Sequence, residues 1–181
     1  MKLIKTKFKG LIIFKRSSFL DQRGYFRELF KYKELKKNFV FDYLSLSKKN
    51  VLRGIHIQLN RPQAKLITVM SGKIFDIVLD CRKKSKTFGK YFTLNMSAKI
   101  NSSLFIPEGF AHGFCSLSEN TILHYKCSNY RDRNSELGII WDDKNLKINW
   151  PVKNPIISSK DNKNISFDEF IKNKKFLKAK W

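Results

Sequence analysis

The residues of this chain best suited to moving protons fall in a few short stretches. Arg53 to Gly72 reads RGIHIQLNRPQAKLITVMSG and carries His56 and Lys65, while Ile106 to Phe114 reads IPEGFAHGF and carries His112. Asp76 lies between them in an apolar stretch, with Phe75 and Ile77 on one face and Ile74 and Val78 on its own. A buried carboxylate needs a partner, and a histidine ring is a natural one, because the acid fixes its tautomer and raises its basicity. An Asp bonded to backbone or to an arginine is the structural alternative. Tyr125 follows between His124 and Lys126. Taken alone, Tyr125 reads most simply as core. His124 points to the opposite face by strand alternation and reads as structural. A pocket with histidine, lysine and tyrosine suits acid–base chemistry.

These residues must be positioned by strands. Short-period apolar alternation marks Phe8 to Phe14, Phe39 to Ser47, Ala64 to Met70, Lys73 to Asp80, Gly89 to Leu94, Ser102 to Ile106, Thr121 to Cys127 and Gly138 to Trp141. Ser71-Gly72 carries a hairpin-turn signal. Many short strands at close spacing predict a mostly β, antiparallel sandwich or barrel. A short helix is expected around Lys31 to Lys37. Ser166 to Glu169 is a capping box, and Phe167, Phe170, Ile171 and Phe176 or Leu177 follow at helical spacing. One amphipathic C-terminal helix packed on the sandwich is expected there, within an extension over residues 162–181 of a single domain spanning 1–181.

The 181 residues suffice for one domain with a real core, and 42% hydrophobic content with sixteen Phe excludes disorder as the main state. No apolar run is long enough for a membrane span, and the N-terminus lacks the features of a signal peptide. Three cysteines without CxxC spacing read as reduced cytosolic thiols, so a cytoplasmic protein with no membrane partner is expected. Lys+Arg total 37 against 15 Asp+Glu, a formal charge of +22. Such a surface attracts polyanions. Yet only eight of the 37 are Arg, and the lysines are scattered along the whole chain. A solvated lysine-rich surface is the favoured reading, attraction of a small anionic ligand the second, and nucleic acid the third; no nucleic-acid partner is expected.

Pro107, Gly109 and His112 resemble the second cupin motif, Pro-x-Gly-x-x-His. His56 takes the place of the first His of the first motif, Gln58 the second, and Lys65 stands where the metal-binding Glu belongs, seven residues before Gly72. Metal cupins need three or four converging neutral or anionic ligands. Gln58 is a poor ligand and the Lys65 ammonium repels a cation, so neither metal nor other cofactor is expected.

Further strings extend the match: DQRGYFRE at Asp21 to Glu28, VLRGIH at Val51 to His56, QAKL at Gln63 to Leu66 and FDIVLDCR at Phe75 to Arg82. FIPEGFAHGF at Phe105 to Phe114, Tyr125-Lys126, ELGIIW at Glu136 to Trp141, NWP at Asn149 to Pro151 and SSKD at Ser158 to Asp161 complete it. Together they resemble the dTDP-4-dehydrorhamnose 3,5-epimerase family of cofactor-free cupins over roughly residues 8–162. The resemblance implies a cupin jelly roll acting on a nucleotide-linked 4-keto sugar, whose C3 and C5 protons are acidified by the C4 ketone. His56, paired with Asp76, is then the base, Lys65 the cation that stabilises the enolate, and Tyr125 the acid on the opposite face. Arg53 and His112 match substrate-pocket residues, and Asp161 a site-proximal carboxylate. Ser45 and Glu136 also fall in matched positions. Arg23 and Glu28 match nucleotide-binding positions that reach into a partner subunit, so a homodimer is implied.

The sequence departs from the family at the base-recognition positions. Phe41 and Tyr43 stand where a Gln-x-Asn precedes the paired serines Ser45 and Ser47, and Arg131 stands where an aromatic stacks on thymine. Retained proton-transfer residues with exchanged base contacts favour a GDP-linked substrate, a 4-keto-heptose of capsule synthesis, with dTDP-4-dehydrorhamnose 3,5-epimerisation as the alternative. A dTDP-sugar 3,4-ketoisomerase is a second alternative, disfavoured by Gln58 where such enzymes carry histidine. A catalytically dead sugar- or nucleic-acid-binding cupin is disfavoured because the reactive side chains are kept together.

Overall fold

A computed structural model describes residues 2–181. Thirteen strands are present among them: β1 (Lys2–Lys5), β2 (Ile12–Lys15), β3 (Ser18–Asp21), β4 (Gly24–Arg27), β5 (Phe41–Ser47), β6 (Leu52–Gln58), β7 (Lys65–Ser71), β8 (Lys73–Asp80), β9 (Tyr91–Ser97), β10 (Ser102–Ile106), β11 (Phe110–Ser116), β12 (Thr121–Cys127) and β13 (Glu136–Gly138). Helix α1 (Tyr32–Leu35) follows β4, and α2 (Phe167–Lys172) and α3 (Lys174–Lys178) close the chain. One six-stranded sheet runs β1-β2-β10-β7-β12-β5, a five-stranded sheet runs β13-β6-β11-β8-β9, and β3 with β4 forms a separate hairpin. All the pairings within these sheets are antiparallel. The jelly-roll expectation holds.

Period-two patterning is clearest in β12, where Thr121, Leu123, Tyr125 and Cys127 are buried and Ile122, His124 and Lys126 face outward. The inward side chains of both sheets, among them Ile67, Val78, Leu104, Phe114 and Leu123, form the core between the layers together with Phe8. The five-stranded sheet is covered on its other face too. Ile55, Ile57, Ile77, Leu79 and Ala111 pack there against Phe167, Phe170 and Phe176 of the C-terminal helices. A sheet buried on both faces loses its polar alternation. That is why β6 and β11, which hold the two histidines, do not stand out as strands in the sequence.

Several local expectations change, and the strand expected over Gly138 to Trp141 is instead β13, Glu136–Gly138. Ser71-Gly72 is not a hairpin, because β7 pairs with β10 and β12 while β8 pairs with β11 and β9. The turn carries the chain from one layer to the other. The C-terminal helix is two short helices. The capping box forms as expected, but Asn173 ends α2 and its side chain accepts from Lys175 N at 2.9 Å to start α3. Phe8 to Leu11 is a turn, closed by Leu11 N donating to Phe8 O at 3.0 Å, and only Ile12–Lys15 is strand.

Candidate active site

Between the layers lies a cavity of about 480 Å³. Phe41, Tyr43 and Ser45 of β5, Lys65 of β7 and Tyr125 of β12 line the side made by the six-stranded sheet. Arg53 and His56 of β6, His112 of β11 and Glu136 of β13 come from the five-stranded sheet. Arg131, Lys160 and Asp161 come from loops and a short 3-10 turn. Of the residues expected at the site, Arg23, Glu28 and Asp76 do not line this cavity. Arg23 is exposed and paired with Asp21, and Glu28 pairs with Lys31.

Arg53 and His56 are three apart, so plain alternation would put them on opposite faces. They share the cavity because β6 carries an extra residue. His56 pairs with His112 and Arg53 with Phe114, so three steps on β6 span two on β11. Gly54 sits inside this bulge at φ +121°, where a Cβ would lie 2.6 Å from Gly113 Cα. Only glycine fits. Freed from the ladder, Gly54 N donates to Asp161 Oδ2 at 3.3 Å, and Gly54 O accepts from Asn164 Nδ2 at 3.3 Å.

The pairing of the histidines corrects the sequence reading. Asp76 is not the partner of His56: it contacts His112 Nε2 at 2.8 Å, and both are buried. The reason is strand order. β11 lies between β6 and β8, so Asp76 is two strands from His56, about 9–10 Å by sheet spacing, and one strand from His112. The partner of His56 is Asp161, whose Oδ1 lies 2.6 Å from Nε2. Burial opposes ionisation of Asp161, but its bonds with His56 and the Gly54 amide hold its carboxyl below the ordinary carboxylate range. An ionised carboxylate only accepts, so Nε2 carries the proton and Nδ1 keeps a lone pair. That is a base held in one tautomer.

The opposite wall supplies an acid and a cation. Tyr125 is buried, stacked on Tyr43 with ring centroids 4.5 Å apart and edge-on to His112 at 6.3 Å. Burial raises its hydroxyl well above a phenol's ordinary range, with a smaller contribution from Tyr43. The proton stays on oxygen until a strong base draws it off. Burial likewise lowers the Lys65 ammonium, an effect partly opposed by Cys127 and Glu136. At the cavity's other end Arg131 Nε donates to Glu136 Oε2 at 2.9 Å, and Lys160 pairs with Glu136 Oε1. Burial would raise that carboxyl, but these two cations, with His56 nearby, bring it down to about 2. Arg53 donates to Ser47 Oγ and Leu46 O, each at 3.1 Å. His124, read as structural, faces out and contacts Asp42 at 3.2 Å.

Among the described residues no three His, Cys, Asp or Glu side chains are placed to share a metal ion. Gln58, at the second motif position, was not singled out as a site residue by sequence reasoning. It lines the cavity with its amide turned to main-chain groups.

Residues 5–169 match the family profile of dTDP-4-dehydrorhamnose 3,5-epimerase. The dTDP-4-dehydrorhamnose 3,5-epimerase of Shigella flexneri is 45% identical over 168 residues, covering 89% of this chain and 93% of that protein. The crystal structure of the Bacillus anthracis enzyme with TDP and PPi bound superposes with a TM-score of 0.88 at 39% identity, covering 92% of this chain and 99% of that one. The structure from Legionella pneumophila in complex with dTDP-4-keto-L-rhamnose gives a TM-score of 0.88 at 37% identity, covering 92% and 93%. With a tautomer-locked histidine facing a buried tyrosine and lysine across one cavity, and with similarity along nearly its whole length, the chain belongs to the dTDP-4-dehydrorhamnose 3,5-epimerase family, isomerases that act on nucleotide sugars.

Proposed function

We propose that the protein inverts C3 and C5 of a dTDP-linked 4-keto-6-deoxyhexose, interconverting dTDP-4-dehydrorhamnose and its C3,C5 epimer. The observation that carries this reading is the placement of base and acid on different sheets: His56 with Asp161 on one wall, Tyr125 on the other. Inversion at carbon requires a proton to leave one face and return to the other. His56 Nδ1 takes the proton next to the C4 ketone. The electrons move onto the ketone oxygen as an enolate, stabilised by the Lys65 ammonium. Tyr125 then gives its hydroxyl proton to the same carbon from the far side, and the ketone reforms. The phenolate and the imidazolium left behind exchange protons with solvent before the second carbon reacts.

The choice of dTDP over GDP departs from the expectation drawn from Phe41, Tyr43 and Arg131. Tyr43 lies face to face with Tyr125, and Arg131 pairs with Glu136 through Nε and Nη2, so one ring face and two guanidinium nitrogens are already engaged. The dTDP relatives support the dTDP reading better than the GDP-heptose one. The test is incubation with dTDP-4-keto-6-deoxyglucose in D2O, with product read by NMR. Deuterium at C3 and C5 with inverted product is expected. No exchange with this substrate, alongside exchange on a GDP-linked 4-keto sugar, overturns the reading.

A homodimer acting in the cytoplasm, in surface-polysaccharide synthesis, belongs to the same proposal. Its support is the β3–β4 hairpin, which exposes Phe19, Leu20, Tyr25 and Phe26, next to Arg23 and Glu28 that turn away from their own cavity. Cys81, Cys115 and Cys127 are free and buried, as suits a reducing compartment. No helix among the described residues is long and apolar enough to cross a membrane. Light scattering of the purified protein measures the assembly; a monomer at micromolar concentration removes this part.

A further inference from the structure

Gln58 stands on the cavity wall two residues beyond the base, yet nothing in the proton transfer uses it. Its side-chain amide is spent on main chain. Nε2 donates to Arg61 O at 2.6 Å and to Tyr130 O at 3.1 Å, and Oε1 accepts from Asp132 N at 2.8 Å. The last two contacts grip the backbone immediately before and after Arg131. Gln58 is also the register partner of Glu136 in the β13–β6 ladder. Its side chain therefore holds the loop that carries Arg131, directly across the ladder from Glu136, the other member of that ion pair. Arg131 itself is half exposed and long, so little else restrains its guanidinium besides Glu136.

The cavity's cations divide by role. Lys65 is committed to the ketone. Arg53, Arg131 and Lys160 remain for the negative charge of a nucleoside diphosphate, and Arg131 and Lys160 together outweigh the single charge of Glu136. We propose that Gln58 is a positioning residue for the nucleotide: by clamping the main chain on both sides of Arg131 it sets the wall on which the nucleoside diphosphate rests, and it takes no part in proton transfer. This rests on the nucleotide-sugar reading above.

The experiment uses dTDP as probe in calorimetry, beside steady-state exchange with dTDP-4-keto-6-deoxyglucose. Gln58→Met keeps length and loses every hydrogen bond, leaving part-buried main-chain groups without their partner. The Kd for dTDP and the KM for the sugar nucleotide should both rise about tenfold or more, with kcat within about threefold of wild type. Arg131→Ala should weaken dTDP binding similarly. The double variant should bind no more than about twofold more weakly than the weaker single variant, because both changes remove one wall. Wild-type dTDP affinity in Gln58→Met, a fall in kcat at unchanged KM, or losses that multiply in the double variant each overturn the proposal. Should Gln58→Met fail to fold, Gln58→Glu serves. It keeps the acceptor for Asp132 and sets a carboxylate against the carbonyls of Arg61 and Tyr130, so the same loss of dTDP affinity is expected, and wild-type affinity refutes the clamp. Tight dTDP binding by the wild-type protein without exchange on the sugar would sink the epimerase reading alone. Exchange by the wild type with all Gln58 variants unaffected would sink this inference alone.

Discussion

Replacing Asp161 by Asn changes one atom and tests the whole account of the base. In the wild type both oxygens accept: Oδ1 from the His56 ring at 2.6 Å, Oδ2 from the Gly54 amide at 3.3 Å. An asparagine has one acceptor and one donor. If its oxygen faces His56, its NH2 meets the Gly54 N–H, donor against donor. If it flips, the NH2 faces Nε2 and drives the ring proton to Nδ1, the atom that must be empty to act as base. Losing the charge alone removes a hydrogen bond worth about 1.5–3 kcal/mol, roughly 10- to 150-fold in rate. The tautomer switch costs more, and the corresponding Asp-to-Asn change in a serine-protease triad costs about 10⁴-fold in kcat. Asp161→Asn should therefore slow deuterium wash-in at both C3 and C5 by at least ~100-fold, approaching the loss in His56→Asn. The assay is wash-in followed by NMR under saturating dTDP-4-keto-6-deoxyglucose, with thermal midpoints to confirm folding. Exchange within about tenfold of wild type in folded Asp161→Asn would refute the dyad.

Tyr125→Phe removes only the acid; exchange through His56 should persist while inverted product falls sharply, and full epimerisation would mean that another group returns the proton. Activity should survive exhaustive chelation, since Lys65 and the amide-engaged Gln58 occupy motif positions where a cation's ligands would stand; loss on chelation with recovery on adding zinc, iron or manganese would contradict this. The Glu136 carboxyl is depressed from its ordinary 4.5 to about 2 in the folded chain, so it stabilises the fold above pH 4.5 and loses that contribution as pH falls toward 2. Urea midpoints of wild type and Glu136→Gln should differ most near pH 6, by about twice the gap at pH 3, and converge only toward pH 2; a gap that widens on acidification would reverse the assignment.

Much of this site was legible in the sequence because its side chains lie in short motifs. His56, Lys65, His112 and Tyr125 were identified there, and all four line one cavity. What the sequence did not carry was partnership. Asp76 looked like the mate of His56, but whether two residues meet across a sheet depends on strand order, and β11 intervenes. Asp161 was recognised as near the site but not as the dyad's acid, because it arrives from a turn 105 residues away. Gln58 was visible as the occupant of the second motif position and as a poor metal ligand. Its role escaped because its partners are main-chain groups of a loop, which have no sequence signature. Asn173, a residue type favoured at helix caps, was the missed signal that one C-terminal helix is two.

The bulge at Gly54 has a consequence beyond facing Arg53 inward. In a regular sheet every backbone amide is committed to the neighbouring strand, and a late segment of chain can dock only through side chains. Here a single misfit in the weave leaves one residue's N–H and C=O unclaimed, and the turn at 161–164 fastens to both. The proton-abstracting pair is thus assembled at a seam in the sheet. The chain that delivers it is moored just upstream as well, where the main chain of Ile156 bonds to Asn50 and Leu52 at the start of β6, so Asp161 and Asn164 arrive, three residues apart, where the weave is open.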